Sequence, residues 1–316
     1  MILFSRAARW RQSRNRAARF GRFDPSVLLL LAPAILILLV FRIGPLIYGA
    51  WLSFQRWNGI GDPEYVGLAN YRRIFTDPDL AISLRNNLLI CLALLIGMVV
   101  PLLIAVLLHG RIWGWQFFRI VFFLPVVLSP LVIGLYWAAF LRSDGPLDVL
   151  LRGIGLNGVT NHLWLAEPTS ALIWIALILN WATLGVGVIL FMAGLSGIDP
   201  LLYDAAAVDG ANWFQTLRHI TIPELRPVAL FWAIQLLIFS FTNLFAFIYI
   251  LTGGGPGSST SVVEFQLYSA AFLGGFIGYG SAIGVLILVI VFAFVATAWW
   301  WFGRSIEESE DFNDAS

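Results

Sequence analysis

Apolar residues in this chain gather into long unbroken runs. They do not alternate as in half-buried strands or recur every three to four positions as in surface helices. Six runs stand out, at about Val27–Phe54, Leu88–Leu108, Phe117–Leu141, Ala171–Leu195, Val228–Leu251 and Gly280–Phe302. Each is about the 20 residues that a helix needs to cross ~30 Å of hydrocarbon. A buried soluble core explains one such run but not six. The pattern predicts an all-α polytopic membrane protein with six transmembrane helices. A basic arm (1–26) precedes a six-span domain (27–303), and an acidic tail (304–316) follows as a solvated, frayed end.

Composition agrees, with 59% hydrophobic and only 12% charged residues where a soluble domain carries roughly a quarter. The net charge of +1 gives no ground for nucleic-acid binding. All 19 basic residues are arginine. Seven sit in the arm, two in the 109–119 turn, two in 196–227 and one in the tail, against six in the two intervening loops on the other side. Positive-inside logic therefore places both termini in the cytoplasm. The first run outlasts a signal-peptide core and reads as a retained span. Arg42 interrupts it, either snorkelling along its stem or pairing inside an assembly. The loops 55–87 and 142–170 are long enough to contact an external partner.

Several chemistries have no residues to perform them. Cys91 lies in an apolar run and reads as a small core residue. His109, His162 and His219 lack metal-ligand spacing, so no metal site is expected. A phosphate-cradling loop needs a lysine and the chain has none. Gly253-Gly254-Gly255-Pro256-Gly257 reads as a turn, and Gly153-x-Gly155-x-x-Gly158 has no strand–helix context. The spans show no buried acids or histidines of the kind that proton- or sodium-coupled carriers use. No nucleophile–base or paired-carboxylate set marks an enzyme. Uphill transport would draw its energy from another chain, with no cofactor held in this one.

The segment 199–223 differs from the other connections. Pro200 starts a short alanine-rich helix that Gly210 stops. A second short helix follows, with Trp213, Phe214 and Leu217 on one face, and Pro223 marks a bend into the next span. Physically this is either a knob projecting from the membrane or an amphipathic connector on the lipid surface. Asp204-Ala205-Ala206, Gly210, Ile220 and Ile222-Pro223 stand at the spacing of the conserved cytoplasmic loop of ABC importer permeases, which the segment resembles. Aspartate replaces that pattern's glutamate at 204, and isoleucine its leucine at 222. The resemblance implies a coupling helix that docks on an ATPase subunit, with Asp204, Ala205, Ala206, Asp209, Gly210 and Ala211 carrying the contact.

Other stretches are similar to the carbohydrate branch of that family, the maltose and glycerol-phosphate type. These are Phe118–Pro125 with Ser129-Pro130, Leu251–Gly257, and Tyr279-Gly280-Ser281-Ala282. The resemblance implies a non-catalytic subunit of the bacterial or archaeal cytoplasmic membrane. Its partners would be a second permease in a heterodimer, an external solute-binding protein and an ATPase dimer that binds ATP and Mg. Polar residues in spans four and five are candidates for the substrate pathway: Asn180, Trp181, Thr183, Gln235, Phe239, Ser240, Thr242 and Asn243. Amides and hydroxyls exchange hydrogen bonds with sugar hydroxyls while aromatic faces cover apolar sugar faces. The same groups equally serve interhelical hydrogen bonding. A non-sugar solute, a stand-alone secondary carrier and a membrane enzyme are the rival readings.

Overall fold

A computed structural model describes residues 25–110, 114–156, 158 and 162–314. The basic arm expected at 1–26 lies outside the described residues up to 24, as does 111–113 in the arginine-bearing turn. The chain divides into two compact units, Met1–Trp51 and Leu52–Ser316.

In the first unit, helix α1 (Pro25–Leu38) passes through one π turn, Leu39–Ile43, into α2 (Gly44–Leu52). Arg42 sits in that wider turn, where the Gly44 N–H bonds back to Leu39. Such single-turn bulges admit an extra residue without ending the helix.

The second unit opens with a two-stranded antiparallel ribbon, β1 (Gln55–Arg56) and β2 (Glu64–Tyr65), then α3 (Ala69–Thr76). The next span begins ten residues earlier than its apolar run. Asp77 caps α4 (Pro78–Gly97) by accepting from the N–H groups of Asp79 (3.0 Å) and Leu80 (3.2 Å), with Pro78 in the first turn. Helix α4 continues past Met98 into α5 (Val99–His109), 32 residues in all. The added turns carry Ser83, Asn86 and Asn87, all fully buried.

The single helix expected over Phe117–Leu141 is two: α6 (Trp115–Val127) and α7 (Pro130–Phe140) meet at 101°. Leu128 is extended (ψ 139°), and Ser129 ahead of Pro130 is held out of the helical region. The Ser129 hydroxyl then caps α7 by accepting from Val132 N–H at 3.3 Å.

After α8 (Pro146–Gly153) comes α9 (Pro168–Leu195), the central helix, which packs on α4, α5 and α6. Glycines let neighbours approach. A Cβ at Gly185 would stand 2.6 Å from the Phe122 carbonyl, and one at Gly187 would stand 2.9 Å from Pro101 and Trp232.

Short helices α10 (Pro200–Val208), α11 (Trp213–Thr216) and α12 (Ile222–Glu224) lead into α13 (Arg226–Thr242). The span expected to run unbroken over Val228–Leu251 stops at Asn243. It resumes as α14 (Phe245–Leu251), followed by α15 (Val263–Tyr268). The last helix, α16 (Ile277–Asp314), is longer than the run Gly280–Phe302 and takes in most of the acidic tail.

Among the described residues, four helices are long and apolar enough to cross a membrane, or up to six if each of two bent pairs is one span. A main core gathers Ile90, Leu94, Ile175, Leu179, Phe191, Leu236 and Phe247, among others. A smaller one joins Ile74, Leu80, Val263, Tyr279 and Ile283.

Candidate functional site

The segment 199–225 is shaped from within. Asp199 caps α10 by accepting from Leu201 N–H at 2.9 Å, beside Pro200 in the first turn. The helix ends in a Schellman arrangement: Ala211 N–H donates to Ala206 O (2.9 Å), and Gly210 N–H to Ala207 O (3.2 Å). This places Gly210 at φ +75°, where a side chain is strained. Asn212 and Gln215 form a reciprocal capping box for α11, with bonds of 2.9 and 2.8 Å. A π turn, Leu217–Thr221, carries the chain into α12, and Tyr203 Oη meets Thr221 Oγ1 at 3.3 Å.

Asp204, Ala205, Asp209 and Gly210 are exposed, Ala211 is half-buried, and Ala206 is buried. Leu217 is buried while Trp213 and Phe214 are 61% and 62% exposed. Pro223 lies inside α12, not at a bend. The 64° turn falls at Leu225, between α12 and α13, with Pro227 in the first turn of α13, where a missing N–H is tolerated.

The two helix breaks, at 128–129 and at 243–244, flank one cavity of about 390 Å³. Pro125, Leu128, Pro130 and Ile133 line it from the first break, and Ile238, Phe239, Asn243 and Phe247 from the second. Thr183, Trp232 and Gln235 complete the wall. Four of the eight candidate pathway residues, Thr183, Gln235, Phe239 and Asn243, therefore meet there. The Gln235 side chain is exposed and makes no hydrogen bond among the described residues. Thr183 donates to Leu179 O (2.9 Å), leaving its oxygen lone pairs for another donor.

The other four lie outside the lining of this cavity. Asn180 donates to Ala176 O (2.9 Å) and across to Ala93 O (3.3 Å), against Gly97, where any Cβ would overlap its amide. Trp181 stands edge-on to Trp137 at 5.7 Å. Buried Ser240 donates to Leu237 O (2.7 Å), and Thr242 to Ile238 O (2.8 Å).

The residue that organises the second break escaped the sequence reading. Glu264 on α15 accepts from Leu244 N–H (2.6 Å) and Phe245 N–H (2.9 Å), both to Oε2. These donors lose their helical acceptors at the break, and Leu244 is fully buried. Left unpaired, each would cost about 1–3 kcal/mol. Burial pushes the Glu264 carboxyl up from its ordinary value, and the two N–H groups oppose that shift. Asn87 bridges the same region, donating to Ser240 O and accepting from Val263 N–H at 2.8 Å. Asn86 donates to Ser259 O and Ser261 O, both at 2.8 Å. The signal available in the sequence was Ser83, Asn86 and Asn87 at helical spacing on one face, but the apolar run had been started only at Leu88. Among the described residues no group of three or more His, Cys, Asp or Glu is placed to hold a metal.

Comparison with known proteins places this architecture. Residues 93–300 match the family described as "Binding-protein-dependent transport system inner membrane component". A probable ABC transporter permease of Pyrococcus horikoshii is 33% identical over 88% of this chain and 95% of its own length. The diacetylchitobiose uptake system permease of Streptomyces coelicolor is 30% identical, covering 92% of this chain and 85% of that one. Among solved structures, a chain of a bacterial ABC transporter that imports the acidic polysaccharide alginate shares the fold. Its TM-score is 0.77 at 23% identity, over 92% of this chain and 99% of that chain.

Proposed function

The chain belongs to the binding-protein-dependent transport system inner membrane component family, and from that premise we propose that it forms, with a second permease, the pathway by which a carbohydrate crosses the cytoplasmic membrane. The observation that carries this reading is the cavity at two helix breaks, whose wall includes Gln235, Asn243, Thr183 and Phe239. Discontinuous helices are a recurrent way to build transporter sites, because each break opens backbone and side-chain polar groups to a cavity. Amides beside an aromatic face suit a polyhydroxylated ligand. The diacetylchitobiose relative supports a sugar over other solutes.

In this reading six spans cross the membrane, with α6 and α7 counting as one and α13 starting the fifth after the coupling element, and both termini are cytoplasmic. Segment 199–225 is the coupling element, and exposed Asp204, Ala205, Asp209 and Gly210, with half-buried Ala211, meet the cleft of a partner ATPase dimer. Ala206 supports α10 from its buried side. The ATPases hold ATP and Mg, and an external binding protein delivers the sugar.

The test is the complete assembly in nanodiscs with its binding protein, assayed for ATP hydrolysis over a panel of diacetylchitobiose, maltose, trehalose and glycerol 3-phosphate. Stimulation by a sugar that Gln235→Ala weakens at least about tenfold supports the pathway. Stimulation by a non-sugar solute alone would remove the carbohydrate assignment, and uptake without ATP would remove the importer reading.

A further inference from the structure

Near the second helix break the backbone loses helical pairing on both sides at once. Helix α13 ends at Thr242, Asn243 has φ −138°, and α14 restarts at Phe245. What spans the gap comes from elsewhere in the sequence. On the α14 side, the Glu264 carboxylate accepts from Leu244 and Phe245 N–H at 2.6 and 2.9 Å. On the α13 side, Asn87 holds Ser240 O with its amide hydrogens and Val263 N–H with its amide oxygen. Val263 and Glu264 are neighbours, so two consecutive residues of α15 are tied to the two sides of one break. Between the tied points lies Asn243, and just beyond them stands Phe247, both in the cavity wall.

We propose that Glu264 is a positioning residue for transport: with Asn87 it forms a clasp across the broken helix, and so fixes where Asn243 and Phe247 stand toward the substrate. This rests on reading the cavity as part of the pathway. The geometry needs a long side chain with an acceptor oxygen at its end. Glutamine meets that need, whereas aspartate, one methylene shorter, cannot reach both N–H groups, and alanine offers nothing. Reach and acceptor therefore matter more than charge.

The experiment places spin labels on α13 and α14 through Phe231→Cys and Tyr249→Cys, both at exposed positions, in the assembled importer, and measures their separation. Uptake of diacetylchitobiose and maltose is followed in parallel on unlabelled protein. A single narrow distance is expected for the parent and for Glu264→Gln, and a broad distribution for Glu264→Ala and Glu264→Asp. Uptake should fall about tenfold in the Ala and Asp variants and stay within about threefold in Gln. If Ala does not assemble, the Asp and Gln pair carries the comparison. Unchanged distances in Asp or Ala would overturn the clasp and leave the pathway reading intact. A functional Asp beside a disabled Gln would also overturn it, by showing that charge is what matters. Broadened distances with unchanged uptake would uphold the clasp and remove the cavity from the pathway.

Discussion

The segments 199–225 and 252–283 are both irregular connections between long helices, and they are held in opposite ways. The hydrogen bonds that shape 199–225 begin and end inside it: the Asp199 cap, the Schellman turn at Gly210, the Asn212–Gln215 box and the Tyr203–Thr221 contact. It leaves Val208, Trp213 and Phe214 exposed. Segment 252–283 is tied to residues far away in the chain. Asn86 and Asn87 reach into it from α4, Tyr279 Oη donates to Asp77 at 2.7 Å, and Ser258 Oγ donates to Asp79 at 2.6 Å. The Arg73 guanidinium lies 4.1 Å over the Tyr279 ring. One segment is a self-shaped surface and the other a brace. Substitutions in the brace should register as lost stability, and substitutions in the surface as lost coupling.

The largest effect is expected at Gly278, where an added Cβ would overlap the Gln55 carbonyl oxygen. Gly278→Ala should cost about 3 kcal/mol, visible as a lower thermal midpoint in detergent. A normal midpoint would show that the 55–57 ribbon is loosely attached. Asn87→Ala leaves Ser240 O and Val263 N–H unpaired in a buried site, and about 2–3 kcal/mol should follow in the same assay.

Gly210→Val forces a branched side chain to φ +75°. It should cost about 1–2 kcal/mol locally and leave the global midpoint nearly unmoved, while stimulated ATP hydrolysis in the full assembly drops. A shift as large as that of Asn87→Ala would erase the contrast between the two segments. The smallest effect concerns pH. Because folding raises the Glu264 carboxyl, its contribution is full below the ordinary glutamate range and is lost as pH rises through the raised value. The midpoint of the parent should thus fall relative to Glu264→Gln across that window, and parallel curves would refute a buried carboxylate.

The parts of the molecule that were legible in sequence are those where local chemistry decides. Pro200, Gly210 and Asn212 act on their immediate neighbours, so the two short helices and their junction followed from spacing alone. Hydropathy located the long helices, but it is blind to interruptions inside an apolar run. Ser129-Pro130 was visible as a pair, yet hydropathy alone carries one helix straight through it to Leu141, where the structure turns by 101°. The break at Asn243 carries no proline or glycine, and Glu264, 20 residues beyond Leu244, supplies the acceptor for the Leu244 N–H. Asn180 and Ser240 hydrogen-bond to nearby backbone, and such a residue looks the same in sequence whether it faces a helix or a cavity.

The local character of 199–225 bears on how such a protein changes over generations. A shape held by hydrogen bonds of its own can accept new side chains at the exposed positions Val208, Trp213 or Phe214 one at a time. Lineages can thereby retune that exposed surface by single steps, whereas any revision of the clasped 252–283 segment demands matching changes at residues some 170 positions away.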